Sequence, residues 1–304
     1  MEFDVICFGA LNMDYLFKVD KIAKEVEEYA IRGFKRTPGG AAANTAVGLA
    51  RLGLKAGYLG KTSDDRNGGI LINEFAREKV DTTRIIVSKS GRTGVIMGYI
   101  DKKGQRALYA LPGINDAVKI QEIDIEYATS ANFLHLTPFV GEKPFETQKQ
   151  LVELVSRSKT KISFDPGDLY ARKGLSALKP MIGKSFLVSL TEKELKLLTG
   201  RNYCKGSEIL LNVGAQIVAV KRGGKGCYVS NREENHTIKP FRVKVVDTTG
   251  AGEAFSAGFL YGLVKNLSLC ECGRIANFIA SRCIMRIGAR SGLPFENELI
   301  CEAR

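Results

Sequence analysis

The sequence predicts an α/β protein with a mainly parallel central sheet, helices on both faces of that sheet and a small additional β-sheet. Short apolar runs alternate with amphipathic helical runs over most of the 304 residues, and this alternation is typical of a parallel sheet covered on both sides. Two stretches, 12–37 and about 91–112, instead alternate apolar and polar residues without a helix. We therefore expect a single domain spanning 1–304 in which these two insertions form the small sheet.

Strands are predicted where short apolar runs are bounded by Gly, Pro or polar residues. The run Phe3–Phe8 ends at Gly9. The runs on either side of 101–104 are predicted to form a hairpin, because a Gly-containing turn joins them. The valines within 243–246 make a further strand-like run. The other predicted strands, in chain order, are 55–60, Gly94–Ile100, 105–110, 132–136, Lys161–Phe164, 186–188, 217–220 and 226–230.

Helices are predicted where apolar residues recur at intervals of three and four. The segment 70–79, for example, places Leu71, Phe75 and Ala76 on one face. The predicted helices, in chain order, are 44–52, 70–79 and the segments near 145–159, 192–199, 206–214, 251–265 and 271–287.

The composition is that of a soluble globular protein, with 44% hydrophobic and 26% charged residues. No run approaches the roughly 18 apolar residues of a membrane helix, and the first residues lack the basic segment of a signal peptide. We expect a cytoplasmic protein with no membrane partner. The seven cysteines form no C-x-x-C pair, so neither a zinc site nor a disulfide framework is predicted.

The net charge of +12 raises the question of nucleic-acid binding. The positive charges are dispersed, however, and the densest pairs, at 102–103 and 221–222, have no interleaved aromatic residues. The pattern favours a basic surface suited to small anionic substrates over a nucleic-acid partner.

The most informative segment is D-T-T-G-A-G-E-A-F at 247–255, which opens one of the predicted helices. Its small residues Gly250, Ala251 and Gly252 let backbone N–H groups converge at a helix N-terminus, which suits an anion. The carboxylate of Glu253 follows directly. An anion-binding turn with an adjacent base is the minimal arrangement for phosphoryl transfer to a hydroxyl.

A second group of polar residues follows the first strand. Asp14 lies just beyond its carboxyl end, where binding sites of open α/β sheets are found, and its carboxylate can accept hydrogen bonds from two hydroxyls. The segment P-G-G-A-A-A-N at 38–44 then offers Gly39 and Gly40 for close backbone approach and Asn44 as both donor and acceptor. Asn44 is also a candidate helix N-cap, and Asp14 taken alone is equally suited to capping a turn.

The 247–255 segment resembles the signature D-T-x-G-A-G-D-x-F of the PfkB (ribokinase-like) carbohydrate and nucleoside kinases, with Glu253 at the family's catalytic Asp position. Ordered matches extend along nearly the whole chain. The resemblance implies a ribokinase-like three-layer fold whose small sheet is a lid over the acceptor and often pairs with a second lid, so we expect a homodimer. It also implies ATP as phosphoryl donor, with Mg²⁺. Neither a P-loop motif nor G-x-G-x-x-G is present.

The resemblance also assigns site residues. It implies catalytic roles for Glu253, Gly250, Ala251 and Gly252. It implies acceptor binding by Asp14, Gly39, Gly40, Asn44 and Asp165, and nucleotide binding by Ser189, Lys221, Gly223, Gly226 and Asn277. Glu192 would organise Mg²⁺, through water, and Asp247 with Thr249 match positions that bind a monovalent cation, such as K⁺, in some members. Ser189 stands where the family has Asn.

Two questions stay open from the sequence. The acceptor is a sugar, a polyol or a nucleoside: Tyr15, Phe17 and Tyr99 are able to stack on a base, although packing on the lid's own face is the favoured interpretation. A phosphosugar would need a lid cation such as Arg32, Arg92 or Arg106.

The second question is what Glu253 does. The pocket has adjusted to Glu and kept activity, or the residue is an engineered change that slows turnover, or the protein binds ligands without catalysis. We predict that Glu253 is the base.

Overall fold

The computed structural model describes residues 1–102 and 105–299. Its strands are β1 (Phe3–Phe8), β2 (Asn12–Val19), β3 (Ile31–Gly39), β4 (Ala56–Ser63), β5 (Ile85–Ser88), β6 (Gly94–Ile100), β7 (Arg106–Leu111), β8 (Ala131–Leu136), β9 (Lys161–Phe164), β10 (Leu187–Thr191), β11 (Ile217–Lys221), β12 (Cys227–Ser230) and β13 (Asn235–Ile238). Residues 103 and 104 of the predicted hairpin turn, and 300–304 at the end of the predicted domain, lie outside the described residues.

The helices of the same ranges are α1 (Ala41–Arg51), α2 (Arg66–Arg77), α3 (Ile125–Thr129), α4 (Glu142–Val155), α5 (Gly167–Ala171), α6 (Gly174–Ile182), α7 (Glu192–Thr199), α8 (Tyr203–Val213), α9 (Ala251–Val264), α10 (Leu269–Cys283) and α11 (Glu296–Leu299). Short 3₁₀ turns lie at Gly113–Ala117, Ile120–Glu122 and Gly223–Lys225. Across 1–102 and 105–299, no helix is both long and apolar enough to cross a lipid bilayer.

The large sheet has nine strands in the order β13-β12-β11-β10-β9-β8-β1-β4-β5. All neighbours from β11 to β5 are parallel, and β12 and β13 extend the sheet as antiparallel strands. Alternate residues of β1 belong to two different cores: Val5 and Cys7 pack with α1, α9 and α10, whereas Ile6 and Phe8 pack with the helices of the other face. The predicted three-layer fold with a mainly parallel sheet is confirmed.

The small sheet has four strands in the order β3-β2-β6-β7 and is built from the two predicted insertions. Asp14 of β2 pairs with Thr37 of β3 and Ile96 of β6. Because successive side chains of a strand point to opposite faces, Asp14 and Tyr15 lie on different faces of this sheet. We call the face that carries Asp14 the inner face and the opposite one the outer face.

The aromatic residues of the small sheet pack on one another along the outer face. Ring centroids lie 5.8 Å apart for Tyr15 and Phe34, 5.4 Å for Phe17 and Phe34, 5.3 Å for Phe17 and Tyr99, and 6.2 Å for Tyr99 and Tyr109. The interpretation that these rings pack on the lid's own face is therefore confirmed, and they do not face the Asp14 side.

Two local predictions are wrong. The valine run at 243–246 forms no strand: Val245 and Val246 are exposed, and the backbone N of Val246 donates instead to the backbone oxygen of Ile284 at 2.8 Å. Asn44 is not an N-cap, because α1 begins at Ala41 and Gly40 occupies the cap with φ of 102°. The alanines before Asn44 are strong helix formers and extend the helix by three residues.

Candidate active site

The residues singled out from the sequence meet at the carboxyl ends of the parallel strands, beside the N-terminus of α9. Gly250 caps α9 in the left-handed region with φ of 82°, and a Cβ at this position would lie 2.5 Å from Cα of Ala289. Only glycine fits this turn without displacing the neighbouring loop. The N–H of Ala251 donates to the backbone oxygen of Thr248 at 3.3 Å. The N–H of Gly252 has no preceding helical turn to bond to and is the first donor of α9 that suits an anion.

Asp247 fixes the loop that leads into α9. Its Oδ1 accepts from the backbone N of Thr249 at 2.9 Å and from Oγ1 of the same residue at 2.6 Å. Its Oδ2 accepts from the backbone N of Gly288 at 2.8 Å. Burial alone would raise the pKa of Asp247, but these hydrogen bonds outweigh it and the pKa is lowered. Asp247 is therefore an ionised structural link between two loops.

Glu253 lies in the first turn of α9 and is half-buried. Burial raises the pKa of its carboxyl, and the nearby charge of Asp165 raises it further, while Lys221 and Arg106 oppose the shift. A carboxylate with a raised pKa is a better proton acceptor at neutral pH than an exposed one. Glu253 also acts on the pKa of Asp14, which places the two carboxyls in one electrostatic environment.

Lys221 and Asp165 form the central ion pair of the site. The Nζ of Lys221 lies 2.6 Å from Oδ2 of Asp165, and both side chains are largely shielded from solvent. Burial lowers the pKa of Lys221, but the charges of Asp165 and Glu194 more than compensate, so the pKa is raised and the ammonium is kept. Ser256 of α9 donates to the same Oδ2 at 3.4 Å and lies 3.3 Å from Oγ of Ser189.

Glu192, proposed from the sequence as the Mg²⁺-organising residue, begins α7. Its Oε2 lies 3.5 Å from Nε of Arg222, whose guanidinium stacks 3.8 Å from the ring centroid of Tyr203. The neighbouring Thr191 and Glu194 form a capping box, with Glu194 Oε2 accepting from the backbone N of Thr191 at 2.7 Å. Glu194 was missed by sequence reasoning, although T-x-x-E at 191–194 is the known signature of such a box.

A cleft runs from the α9 N-terminus past the β11–β12 turn. One part, of about 470 Å³, is lined by residues of α7, β11 and α9, including Glu192, Lys221 and Gly252. A second part, of about 420 Å³, continues beneath the 240–245 loop, and both parts contact Gly223 and Asn277. The Nδ2 of Asn277 donates to the backbone oxygens of residues 238 and 239, at 3.3 and 3.1 Å, and so holds one wall of the cleft.

Gly226 closes the turn beside this cleft. Its φ is 81°, and a Cβ there would lie 2.0 Å from the backbone oxygen of Ile238. The turn that contains Gly223 and Gly226 is therefore fixed against β13 by backbone contact alone.

Asp14 lies at the base of the small sheet, in contact with Gly39. A Cβ on Gly39 would lie 2.2 Å from the Asp14 carboxyl, and one on Gly40 would lie 2.2 Å from the backbone oxygen of Ala10. Burial raises the pKa of Asp14 to about 7; Arg290 lowers it and Glu253 raises it. Within the described ranges Oδ1 of Asp14 is buried and has no hydrogen-bond partner, as expected of an acceptor that awaits a hydroxyl.

Two arginines contact residues of the site, and one of them, Arg106, was a lid-cation candidate from the sequence. Arg106 of β7 lies on the inner face of the small sheet and donates to Oγ1 of Thr249 at 2.5 Å and to Oγ1 of Thr248 at 3.4 Å. Arg290 donates from Nε to Oδ1 of Asn44 at 2.8 Å. Arg32, in contrast, pairs with Asp20 at 2.7 Å on the surface. The partners of both site arginines are distant in sequence, so local patterns gave no signal for these two contacts.

Comparison with known proteins agrees with this arrangement. Residues 2–296 match the pfkB family of carbohydrate kinases, and the chain belongs to that family. A sugar kinase of Archaeoglobus fulgidus, itself described as uncharacterized, is 40% identical over 251 residues, which cover 82% of this chain and 98% of that protein. An ATP-dependent ribose-1-phosphate kinase of Halopiger xanaduensis is 30% identical over 288 residues, 94% of each chain.

Solved structures extend the comparison to the fold. A ribokinase from Thermotoga maritima superposes with a TM-score of 0.86 at 28% identity, covering 98% of each chain. The family and the fold define a phosphotransferase with an alcohol group as acceptor, in the class of sugar and nucleoside kinases. The predicted family membership and the ribokinase-like fold are confirmed.

Proposed function

We propose that this protein transfers the γ-phosphate of ATP to a hydroxyl of a sugar or polyol. The observation that carries the proposal is the position of Glu253. It stands in the first turn of α9, beside the anion-binding N–H groups, and its charge acts on Asp14. A hydroxyl bound at Asp14 would then lie near both a proton acceptor and the donors that stabilise the transferred phosphoryl group.

In the proposed reaction Glu253 takes the proton of the acceptor hydroxyl as its oxygen attacks the γ-phosphorus. The bond between the γ-phosphorus and the β–γ bridging oxygen breaks, and ADP leaves. The backbone at Gly250, Ala251 and Gly252 stabilises the charge that spreads over the phosphoryl oxygens. The acceptor is oriented by Asp14 and Asn44, and the absence of a side chain at Gly39 leaves room for the Asp14 carboxyl beside it. Asp165 stabilises this site indirectly, because its carboxylate is already engaged by Lys221 and Ser256.

ATP is proposed to occupy the cleft between α7, β11 and α10. Its phosphates would run along Gly223 and Gly226 towards α9, close to Lys221 and Ser189. Asn277 holds the wall against which the base would lie. The ATP-dependent ribose-1-phosphate kinase of Halopiger xanaduensis, similar over 94% of this chain, supports ATP as the donor.

Two cations fit the residues of the site. The described ranges contain no group of three or more His, Cys, Asp or Glu side chains that could hold a metal ion, which suits Mg²⁺ bound mainly by phosphates and water. Glu192 would hold it through water, and the ion would neutralise phosphate charge. Asp247, with Thr249, is proposed for a monovalent cation such as K⁺. Its Oδ1 accepts two hydrogen bonds from Thr249, whereas Oδ2 accepts from the backbone N of Gly288 and keeps further lone-pair capacity.

The small sheet is proposed to act as a lid that excludes water from the transferred group. The contact of Arg106 with the 248–249 loop supports this, since it ties the sheet to the loop in front of α9. The lid would also form a homodimer through its outer face, where Phe34, Met97, Tyr109 and Leu111 are 58, 40, 64 and 54% exposed. Exposed apolar side chains clustered on one face favour contact with another protein surface, here a second copy of this chain.

The same face offers a test of the dimer. Replacing Phe34 and Tyr109 by Ser should convert a dimer to a monomer in sedimentation velocity, because the two rings supply exposed apolar area without touching the proposed acceptor site. A wild-type protein that sediments as a monomer at micromolar concentration would contradict the dimer and leave the kinase proposal untouched.

The sugar or polyol is preferred over a nucleoside because of where the lid aromatics lie. Tyr15, Phe17 and Tyr99 stack on the outer face and leave the Asp14 face without these rings. The remaining candidate is a catalytically impaired member that only binds its ligands, and it rests on Glu at the catalytic position.

A direct assay separates these functions. Purified protein is incubated with ATP, Mg²⁺ and pooled sugars, polyols, sugar phosphates and nucleosides, and products are identified by mass spectrometry. A sugar or polyol that gains one phosphoryl group supports the proposal, whereas a phosphorylated nucleoside favours the alternative acceptor. ATP binding without product from any pool would favour the impaired kinase-fold protein.

A further inference from the structure

Arg290 is a buried cation whose side chain hydrogen-bonds to Asn44 of the proposed acceptor site. It follows α10 and is only 9% exposed. Its backbone oxygen accepts from Nη1 of Arg51 at 2.6 Å, so the main chain is held against the end of α1. Its guanidinium lies 5.8 Å from the ring centroid of Phe75. These contacts enclose the side chain between α1 and α2.

Among residues 1–102 and 105–299, no carboxylate neutralises this guanidinium directly. In the part of the chain that the structure describes, Arg290 forms no ion pair within 4.0 Å, and its Nη2 is buried without a partner. The nearest acidic groups act at longer range: Glu74, Glu78 and Asp14, in that order of strength. Glu78 is already paired with Arg51 at 2.6 Å. A buried cation without a paired carboxylate destabilises the folded protein, so its presence here indicates a functional role.

The contact with Asn44 fixes the orientation of an amide. The Nε of Arg290 donates to Oδ1 of Asn44 at 2.8 Å, and both groups are buried. Because a guanidinium only donates, the amide oxygen must face Arg290 and the Nδ2 group must face the other way. Asn44 can then offer its N–H donors to a ligand, while Oδ1 is engaged by Arg290. An acceptor hydroxyl would accept from Asn44 and donate to the unpartnered Oδ1 of Asp14.

We propose that Arg290 is a positioning residue for the acceptor, because its Nε holds the Asn44 amide so that the N–H donors of Asn44 face the acceptor site. This inference rests on the proposed acceptor site. It assigns to the 288–290 loop a role in acceptor selectivity, since an acceptor hydroxyl that accepts from Asn44 can also donate to Oδ1 of Asp14. The charge of Arg290 acts on Asp14 as well.

The charge effect has a defined direction. Burial raises the pKa of Asp14 to about 7, and Arg290 is the group that pulls it down, against Glu253. The pairing residues of Asp14 on β3 and β6, Thr37 and Ile96, carry no charge. Burial lowers the pKa of Arg290 itself to about 10, so it remains a cation at neutral pH. Loss of the Arg290 charge would leave more of Asp14 protonated at pH 7.

Three substitutions separate the two actions. Arg290→Met removes both the donor and the charge, Arg290→Gln keeps a neutral donor, and Arg290→Lys keeps the charge. We expect Arg290→Met to raise the acceptor KM about 10–100-fold at pH 7, with the ATP KM unchanged, and to move the acid limb of the kcat/KM profile for the acceptor to higher pH. Arg290→Lys should return this acid limb to its wild-type position. Arg290→Gln should have a lower acceptor KM than Arg290→Met but leave the acid limb at the higher pH.

Controls guard against a merely structural effect. Lys61→Met removes another buried cation, paired with Glu122 at 2.5 Å outside this site, and should lower stability without moving the pH profile. A double variant tests the orientation of the amide. In an Asn44→Ala background at pH 8.5, where Asp14 is ionised, Arg290→Met should add little to the acceptor KM, because the amide that Arg290 orients is no longer present.

The outcomes are distinguishable from failure of the proposed function. If Asp14→Asn and Asn44→Ala leave the acceptor KM unchanged, the acceptor site itself is misassigned. If they raise it while Arg290→Met leaves both the KM and the pH profile at wild-type values, the role of Arg290 is overturned alone. Equal loss of kcat/KM for ATP and acceptor, with no change in the pH profile, would also overturn it.

Discussion

The Nζ of Lys221 lies 2.6 Å from Oδ2 of Asp165, and the two side chains are 10 and 14% exposed. The pair joins the end of β11, beside the proposed nucleotide cleft, to the end of β9, and Ser256 connects it to α9. Residues 56 positions apart in the chain are thus held in contact directly below the anion-binding turn.

Removing one member of this pair should be more damaging than removing both. Lys221→Met leaves Asp165 buried without its counter-charge, so we expect the free energy of unfolding to fall by roughly 2–4 kcal/mol. The double variant Lys221→Met/Asp165→Asn should recover part of this loss. Urea unfolding measures both values, and Lys225→Met, on the exposed part of the following turn, is the control. Equal midpoints for wild type and Lys221→Met would contradict this account.

Asp14→Asn should raise stability at alkaline pH while weakening acceptor binding. The folded-state pKa of Asp14, about 7, lies above its ordinary value of 3.8, so the native state holds this proton more tightly than the unfolded chain. That stabilisation is fully present below the ordinary pKa and is lost as the pH rises through about 7. At pH 8 we expect Asp14→Asn to be more stable than wild type by on the order of 1–3 kcal/mol.

The difference between Asp14→Asn and wild type should shrink towards pH 4. Thermal or urea unfolding at the two pH values measures it, and the acceptor KM at pH 8 gives the functional readout. A stability difference that is the same at both pH values would show that Asp14 does not carry the raised pKa.

Gly250→Ala should disrupt the anion-binding turn. The new Cβ would meet Cα of Ala289 at 2.5 Å in a left-handed backbone conformation, so we expect a loss of at least about 1–2 kcal/mol in stability and a lower kcat. Gly69→Ala is the matched control: it lies within α2 with no atom within 4 Å of the new Cβ, and should gain about 0.5–1 kcal/mol. Similar effects of both substitutions would refute a special role for Gly250.

The sequence was sufficient for the fold and for those parts of the site that lie in continuous motifs. Periodicity predicted the alternating layers because each strand and helix buries its own face, as the two cores on either side of β1 confirm. The turn at Gly250 and the first-turn position of Glu253 follow from nine adjacent residues. Local chemistry of this kind is encoded by neighbours in the chain.

The remaining features depend on partners far apart in sequence. The contact between Arg290 and Asn44 spans 246 positions, and nothing near either residue indicates it. The valines before Asp247 have a strand-like pattern, but the backbone of Val246 bonds to Ile284, just after α10, rather than to a strand. Local propensity was therefore overridden by the tertiary arrangement. Short strands such as β5 and β13 and the short helices α3 and α5 were missed because few residues carry their periodicity.

The measurement that tests the central claim most directly compares wild type, Glu253→Gln and Glu253→Asp in acceptor phosphorylation, with ATP affinity measured in parallel. Gln keeps the size of Glu but cannot accept the proton, so we expect nearly complete loss of kcat with ATP binding largely retained. Glu253→Asp keeps a carboxylate on a side chain one methylene shorter, so it should keep more activity than Glu253→Gln. If the pocket is fitted to Glu, we expect its kcat to lie about 10–100-fold below wild type. Equal rates for wild type and Glu253→Gln would contradict the assignment of Glu253 as the base.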